Sequence, residues 1–438
     1  MSKEIKDKIV PELRFPEFQD AEEWKETKLG QCLSKHPEYG INAPAVPYSD
    51  NLPKYLRITD ISVDGHFLRN QMVSVEKNVT DNNYLDEDDI VLARTGASVG
   101  KSYRYRIEDG KLVFAGFLIR VKPNKKKLNP ELLFQFLATE QYWRWVNFIS
   151  ARSGQPGING NEYSSMPLPL PSSLQEQQKI ASCLSSIDDL IHAQNQKLET
   201  LRTHKKGLMQ QLFPAEGETV PKLRFEEFWD DGEWEEKVLS EIAELTSSKR
   251  VHLADYVPYG IPFFRGKEIS LFKKGEIPDD ILYISEEHYE DIRNKYDVPK
   301  IGDILITAVG TLGNIYCVRN DEKFYFKDGN LIWLKNISID SLFLEILLDV
   351  NKDKVLASAI GSSQKALTMA ALNKLEFKIP KTPEQQKIAD CLSSLDELIA
   401  AQSQKLEMLK VHKKGLMQGL FPNVNKVSPS NSMSLIRI

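Results

Sequence analysis

Apolar residues recur with alternating steps of four and three in two long segments of this chain, residues 176–212 and 384–420. A mean step of 3.5 residues is the period of a coiled coil, so each segment is predicted to be a long helix with one apolar seam. The seam residues expected at the interface of a helix pair are Ile180, Leu184, Ile187, Ile191, Gln194, Leu198 and Leu201, followed by Ile388, Leu392, Leu395, Ile399, Gln402, Leu406 and Leu409.

The two segments are near copies of each other. Residues 176–214 and 384–422 align without gaps and are identical at 30 of 39 positions. Each seam contains a Gln and later a Lys (Lys205 and Lys413), and polar seam residues fix the register of paired helices. About 38 helical residues span roughly 57 Å, and such a helix exposes its seam unless it has a partner. We expect an antiparallel pair within the chain; the alternative is two separate core helices, one in each domain.

A second, weaker repeat precedes each of two unlike domains. Residues 11–29 and 221–239 match at eleven of nineteen positions, including LRF and EW. Prolines end both helices, at Pro214 and Pro422. The predicted organisation is therefore a leading segment (1–24), a first variable domain (25–172), a first spacer helix (173–213), a linker with the second leading segment (214–234), a second variable domain (235–381), a second spacer helix (382–421) and a tail (422–438) that we expect to be weakly attached.

The two variable domains share only landmarks. Each contains a strand-like run that ends in a glycine turn, DIVLARTGASVGK at 89–101 and DILITAVGTLGN at 303–314. An apolar strand, a helix and a polar loop with a short strand follow in both. This order predicts an α+β fold, with two globular mixed α/β domains on largely antiparallel or mixed sheets, separated by two long antiparallel coiled-coil helices and related by a pseudo-twofold internal repeat.

Composition narrows the range of functions. The chain has no run of about 18 apolar residues, and its N-terminus is charged. We therefore expect a cytoplasmic protein with no membrane partner. Its four cysteines lack ligand spacing and are interpreted as small hydrophobic residues. The net charge is −5, but residues 101–127 hold nine Lys or Arg against two acids, a basic run suited to phosphates or to a solvated loop.

Catalytic patterns are weak. RTGASVGK resembles a phosphate-binding loop, yet Thr95 stands where that motif requires its first glycine. The chain also lacks an S-adenosylmethionine loop with an Asn- or Asp-Pro-Pro-aromatic motif, and Glu26-Thr27-Lys28 is a chance match to nuclease spacing. We therefore expect no catalytic residues, no metal site and no enzyme activity in this chain.

Four features within residues 11–422 form a recognisable set: the paired EQQKIA…LIxAQxQKLExL…HKKGLMQxLFP helices, the LRF and EW segments, the LARTGASVGK turn and the Ser-Gly-Gln loop at 153–155. Together they resemble the specificity (S) subunit of type I restriction–modification enzymes. The resemblance implies two target recognition domains that each read one half of a bipartite, non-palindromic site in double-stranded DNA. It also implies helices that set the spacing and dock two methyltransferase subunits, with restriction motor or nuclease subunits joining them. S-adenosylmethionine, ATP and magnesium are then expected on the partner subunits, and none on this chain.

Polar residues of the turns and loops are the candidate DNA contacts, because Arg, Lys, Asn and Gln distinguish base edges in the major groove. In the first domain they are Arg57, Thr59, Arg94, Thr95, Ser98, Lys101, Arg104, Arg152, Ser153 and Gln155. In the second domain they are Arg265, Lys267, Thr307, Thr311, Asn314, Ser363, Gln364 and Lys365. A coiled-coil scaffold or adaptor with two interaction domains and no DNA preference is the alternative function.

Overall fold

The computed structural model describes residues 8–151, 155–273, 275–361 and 365–422. They form two compact units. The first combines the chain up to residue 194 with the chain from residue 406 onward, and the second comprises residues 195–405. Each unit therefore contains one variable domain and a part of both long helices. None of the helices in the described ranges is long and apolar enough to cross a membrane.

The first unit is built on three small sheets. Its strands are β1 (Lys25–Lys28), β2 (Glu38–Tyr39), β3 (Ala45–Pro47), β4 (Lys54–Leu56), β5 (Val73–Val75), β6 (Ile90–Ala93), β7 (Ser102–Arg104), β8 (Leu112–Phe114), β9 (Leu118–Val121) and β10 (Pro167–Leu170). The helices of this half of the chain are α1 (Pro130–Phe136), α2 (Glu140–Ser150), α3 (Gly160–Ser165) and the long α4 (Leu174–Leu212). The sheet orders are β2-β9-β6-β7, β3-β5-β4-β8 and β1-β10.

The second unit repeats this plan. Its strands are β11 (Glu235–Val238), β12 (Glu244–Thr246), β13 (Tyr256–Val257), β14 (Ile261–Phe264), β15 (Leu282–Ile284), β16 (Ile304–Thr307), β17 (Ile315–Cys317), β18 (Tyr325–Phe326), β19 (Leu331–Lys335) and β20 (Glu376–Ile379). Its helices are α5 (Leu239–Ile242), α6 (Gly266–Lys273), α7 (Glu286–Tyr296), α8 (Ser341–Val350), α9 (Lys352–Ala357), α10 (Met369–Leu372) and the long α11 (Thr382–Leu420).

The sheet orders of the second unit are β12-β19-β16-β17, β13-β15-β14-β18 and β11-β20, the same pattern as in the first unit. Strands β4 and β8 pair in parallel, as do β14 and β18, and the other pairs are antiparallel. The prediction of a duplicated α+β fold with mixed sheets is confirmed. All four residues of β6 and of β16 are buried, as expected of central strands covered on both faces.

The long helices α4 and α11 pack together in antiparallel directions. In the first unit, the Lys413 Nζ lies 2.6 Å from the Asp188 Oδ1, and in the second the Lys205 Nζ lies 2.5 Å from the Asp396 Oδ1. These four residues are equivalent in the repeat, so one antiparallel register accounts for both ion pairs. All fourteen predicted seam residues are buried or half-buried. The predicted helix pair is confirmed, and its seam lysines bind carboxylates on the opposite helix.

The ends of both long helices also lie in the cores of the units. In the first unit Leu184 of α4 belongs to the same core as Trp24, Leu420 and Phe421. In the second, Leu392 of α11 shares a core with Leu212, Phe213 and Trp234. The alternative prediction, that each long helix is a core helix of one domain, therefore describes part of the structure. Seam residues near the helix ends pack in the cores of the units, in addition to the contacts between the two helices.

Candidate nucleic-acid interface

In the first unit, the turn Arg94–Gly100 between β6 and β7 is the centre of the candidate surface. Its backbone is held by the loop that precedes α3. The Ile158 N–H donates to the Arg94 carbonyl at 2.8 Å, and the Gly96 N–H donates to the Pro156 carbonyl at 3.0 Å. Thr95 and Gly157 form an isolated antiparallel bridge. The exposed Gln155 belongs to this supporting loop, so the structure brings it together with Arg94 and Thr95, as predicted from the sequence.

Two buried tyrosines fix the ends of this turn. The Tyr163 hydroxyl donates to the Ala93 carbonyl at 2.8 Å, and the Tyr142 hydroxyl donates to the Gly100 carbonyl at 2.6 Å. Burial raises the pKa of both tyrosines, which keeps both hydroxyls protonated as donors. The turn is thus presented by a rigid support, the condition under which side chains can recognise a ligand with high geometric accuracy.

Arg94 packs against the ring of an exposed tyrosine. Its guanidinium carbon lies 4.9 Å from the centroid of the Tyr39 ring, a cation–π contact. Its Nη1 is 3.5 Å from the Gly116 carbonyl, and its Nε is buried without a hydrogen-bond partner among the described residues. Tyr39 and the neighbouring Phe117 are 49% and 61% exposed. Neither aromatic residue was predicted from the sequence, because an isolated aromatic residue carries no periodic signal.

The second unit has the same backbone at this place with different side chains. The Arg94 N–H donates to the Phe117 carbonyl, and the Ala308 N–H donates to the Asn330 carbonyl. The Leu367 N–H donates to the Ala308 carbonyl, just as the Ile158 N–H donates to the Arg94 carbonyl. Arg94 and Phe117 are therefore replaced by Ala308 and Asn330. Aligning the runs 89–101 and 303–314 from their shared Asp-Ile start gives the same pairing, Arg94-Thr95 with Ala308-Val309. The two surfaces differ in charge and aromatic content.

Arg57 and Arg265 hold equivalent positions after β4 and β14. The Arg57 Nη2 lies 2.7 Å from the Asp60 Oδ1, and the Arg265 Nη2 lies 2.5 Å from the Glu268 Oε1. Both carboxylates are buried, and their hydrogen bonds raise the pKa of each arginine. These arginines mainly neutralise a buried carboxylate. Their side chains remain 32% and 26% exposed, so they stay candidate contacts.

Three predicted contacts bind other groups of the domain. Thr307 is fully buried, and its hydroxyl donates to the Thr311 carbonyl within the turn, so no base can reach it. Arg104 is mostly buried between Asp88 and Glu131, at 2.7 and 2.5 Å. The Lys101 ammonium donates to the Ile61 carbonyl and is half-buried. All three side chains are used to hold the domain together.

The basic run at 101–127 was predicted to serve phosphates or to form a solvated loop. In the structure, four of its nine basic residues form ion pairs with acids outside the run. These four are Arg104, Arg120, Lys122 and Lys125, and their partners include Glu38, Asp86, Asp88, Asp89 and Glu131. Four of the nine positive charges are therefore neutralised by carboxylates.

The remaining predicted contacts are untested. Asn314 is half-buried and donates to the Ser270 hydroxyl at 2.8 Å. Ser98 is half-buried, and the exposed ones are Thr59, Lys267, Thr311 and Lys365. The predicted contacts Arg152, Ser153, Ser363 and Gln364 lie outside the described residues. In the described ranges, no group of three or more His, Cys, Asp or Glu side chains is arranged to hold a metal ion.

Residues 22–202 and 231–411 each match the family of the type I restriction modification DNA specificity domain. The two matches cover most of the chain, so the chain belongs to this family. Each half of the chain therefore carries one DNA specificity domain of the type I restriction–modification systems.

Relatives of similar length carry the same designation. The chain is 24% identical over 434 residues to the type I restriction enzyme MjaVIII specificity subunit of Methanocaldococcus jannaschii, covering 96% of each protein. It is 27% identical over 322 residues to a putative specificity subunit of Haemophilus influenzae, covering 72% of this chain and 77% of the relative. The crystal structure of an S subunit from M. genitalium superimposes with a TM-score of 0.61 at 17% identity, covering 94% of this chain and 99% of that one. This likeness supports the fold.

Proposed function

We propose that this specificity subunit recognises a bipartite, non-palindromic site in double-stranded DNA, with each unit reading one half. The observation that carries the proposal is the exchange of side chains on a shared backbone, in which Arg94 and Phe117 are replaced by Ala308 and Asn330. Two surfaces of one topology and different chemistry suit two unlike half-sites. Sequence-specific contacts depend on the side chains that reach base edges, whereas the backbone only positions them.

In this proposal the helix pair sets the separation of the half-sites and docks two methyltransferase subunits. The near-identity of α4 and α11 supports it, because two copies of one partner require two equivalent surfaces. Exposed side chains such as Lys206 and Lys414, or Glu199 and Glu407, are identical in the two copies, although helix packing does not require this. Restriction subunits would then join the assembly, and S-adenosylmethionine, ATP and magnesium would act on these partners and not on this chain.

A domain exchange tests the proposal. Residues 235–381 are replaced by the matching segment of a relative with a different target, and the methylated bases are mapped in cells that also express the partner subunits. The expected result is a change in one half-site only, with the spacing and the other half-site unchanged. A scaffold or adaptor without DNA preference would leave the methylation pattern unaltered, and that result would refute the proposal.

A further inference from the structure

We propose that Arg94 reads a guanine in the half-site of the first unit, and that Tyr39 is the residue that positions it. This inference rests on the proposed function and assigns a base and two residues to one of its surfaces. The second unit, with a different set of side chains at the same place, would recognise its own half-site without an arginine at this position.

The first argument is that Arg94 has no carboxylate partner. Most arginines in the described ranges form ion pairs, including Arg57, Arg104 and Arg120 in the same unit. Among the described residues, only Arg94, Arg106 and Arg144 form no ion pair with a carboxylate. An arginine that is already neutralised must give up a partner in order to bind DNA, whereas Arg94 does not.

The other two unpaired arginines lie in different surroundings. The Arg106 Nη1 is 3.3 Å from the His66 Nδ1, and the Arg144 Nε is 3.4 Å from a carbonyl of its own helix, that of Glu140. Arg94 differs because it belongs to the turn fixed by Tyr142 and Tyr163. Its backbone position is therefore set by buried hydrogen bonds, and its side chain extends from a rigid part of the backbone.

The second argument is orientation. The guanidinium of Arg94 packs on the ring of Tyr39, and the Tyr39 hydroxyl accepts a hydrogen bond from the Gly160 N–H at 3.0 Å. The ring is thereby held in place, and it in turn holds the plane of the guanidinium. A phosphate can be bound by a flexible lysine, but a guanine requires two donors aimed together at O6 and N7, and arginine makes this contact most often.

The third argument comes from the second unit. The register of the strands places Ser247 where the first unit has Tyr39, next to the Ala308 and Asn330 positions. The Ser247 hydroxyl is buried without a hydrogen-bond partner among the described residues. The arginine, its aromatic support and the neighbouring Phe117 are thus all replaced, which indicates that they act as one set. Ala308 also shows that the fold accommodates alanine at the Arg94 position.

The test uses the full-length chain assembled with its methyltransferase subunits, on duplexes carrying the site found by mapping methylated bases. The variant Arg94→Ala is expected to relax one position of the first half-site, where discrimination for guanine falls by about 5- to 150-fold. Replacing that guanine by 7-deazaguanine, which lacks the N7 acceptor, should weaken binding of the native complex several-fold. The same base should have no effect on the Arg94→Ala complex.

Control variants separate reading from positioning and from stability. Arg69→Ala removes an exposed arginine of the same unit and should leave every base preference unchanged. Tyr39→Ser should strongly reduce discrimination at the same guanine, and Tyr39→Phe, which keeps the ring but loses the hydrogen bond from the Gly160 N–H, should reduce it less. Arg94→Lys, which keeps the charge, should still lose the guanine preference.

Two outcomes would overturn the inference. An equal loss of binding to all sequences would mean that Arg94 contacts a phosphate, and an unchanged methylation pattern would mean that it contacts no DNA. Either result, combined with a domain exchange that does change one half-site, would leave the proposed function intact. If the domain exchange also has no effect, the proposed function itself fails.

Discussion

The guanidinium of Arg14 forms two hydrogen bonds with the carboxylate of Glu176, 162 residues further along the chain, at 2.8 Å from Nε to Oε1 and 2.9 Å from Nη2 to Oε2. The indole N–H of Trp24 donates to the same carboxylate at 3.1 Å. Arg224 and Glu384 repeat the arrangement at 2.9 and 2.7 Å. The LRF and EW motifs and the glutamate at the start of each long helix are thus parts of one buried contact.

Removing one partner of this contact should destabilise its unit strongly. Glu176→Gln leaves the Arg14 charge without a counter-ion at a site where both side chains are less than a tenth exposed. The expected loss is about 3 kcal/mol in the free energy of unfolding, measured by urea denaturation. Glu17→Gln, which removes an exposed ion pair with Lys179, is the control and should leave the urea midpoint unchanged. Equal stability of the two variants would contradict this account.

The cross-helix pairs should show coupling in double-mutant cycles. Reversing Asp188 alone to Lys places two positive charges together, whereas Asp188→Lys combined with Lys413→Asp restores an ion pair. A coupling energy of about 0.5–1 kcal/mol is expected. The Lys205–Asp396 pair should couple less strongly, because Asp396 is more exposed than Asp188. Independent effects of the two substitutions would show that the register does not depend on these charges.

The proposed function predicts that lengthening both helices widens the distance between the two half-sites. Seven residues inserted at equivalent positions, after Gln196 and after Gln404, preserve the heptad seam and add about 10 Å, or about three base pairs of DNA. Methylation mapping should recover both half-sites unchanged at the larger spacing. If the residues are inserted in α4 alone, the two seams no longer match, and assembly should be abolished. A wider gap with that single insertion would argue against the helix pair as the spacer.

Glycines in the helices and in the turn should respond in opposite ways to alanine. A Cβ at Gly207 or Gly415 meets no atom within 4 Å, so Gly207→Ala should stabilise the helix by up to about 1 kcal/mol. Gly100 has a φ of +89°, and a Cβ there would lie 2.8 Å from Val146 Cγ1. Gly100→Ala should therefore lower the melting temperature, while Gly207→Ala raises it.

Acidification should loosen the first unit at His66. Burial lowers the pKa of this histidine, helped by the charge of Arg106 and by the nearby His192. Because the folded pKa lies below the unfolded value of about 6.5, the neutral form stabilises the fold above that pH. This contribution is lost as the pH falls through the folded pKa.

Hydrogen exchange of residues 58–68 between pH 7.5 and 5.5 measures this effect. Exchange should increase at the lower pH in the native protein and much less in His66→Gln. His204→Gln, which alters an exposed histidine of α4, serves as the control and should behave like the native protein. Identical pH dependence in all three proteins would exclude His66 as the titrating group.

The fold was largely readable from the sequence where the information is local and repeated. The seam from Ile180 to Leu201 and its copy needed only periodicity to be found. The candidate surface was harder to predict from the sequence, because ion pairing depends on the three-dimensional structure. Arg120 and Lys122 belong to a basic run in the sequence, but the fold places Glu38, Asp86 and Asp89 next to them.

The turn residues illustrate a second limit. Thr307 was predicted as a DNA contact because it is a polar residue beside the glycine turn. The hydrogen bonds of Arg94 and Ala308 show that Thr307 is equivalent to the buried Ala93, the last residue of β6. Residue type and position beside a turn do not show which side chains face outward, because that depends on how the strand packs in the domain.

The positions of Leu420 and Phe421 beside Trp24 bear on how the protein folds during synthesis. The first unit cannot close its core until the ribosome has translated almost the last described residue. The second unit receives Leu212 and Phe213 before its own strands are made. Domains usually fold in the order of synthesis, but here we expect the half of the protein made first to be completed last, and to need protection from aggregation while it waits.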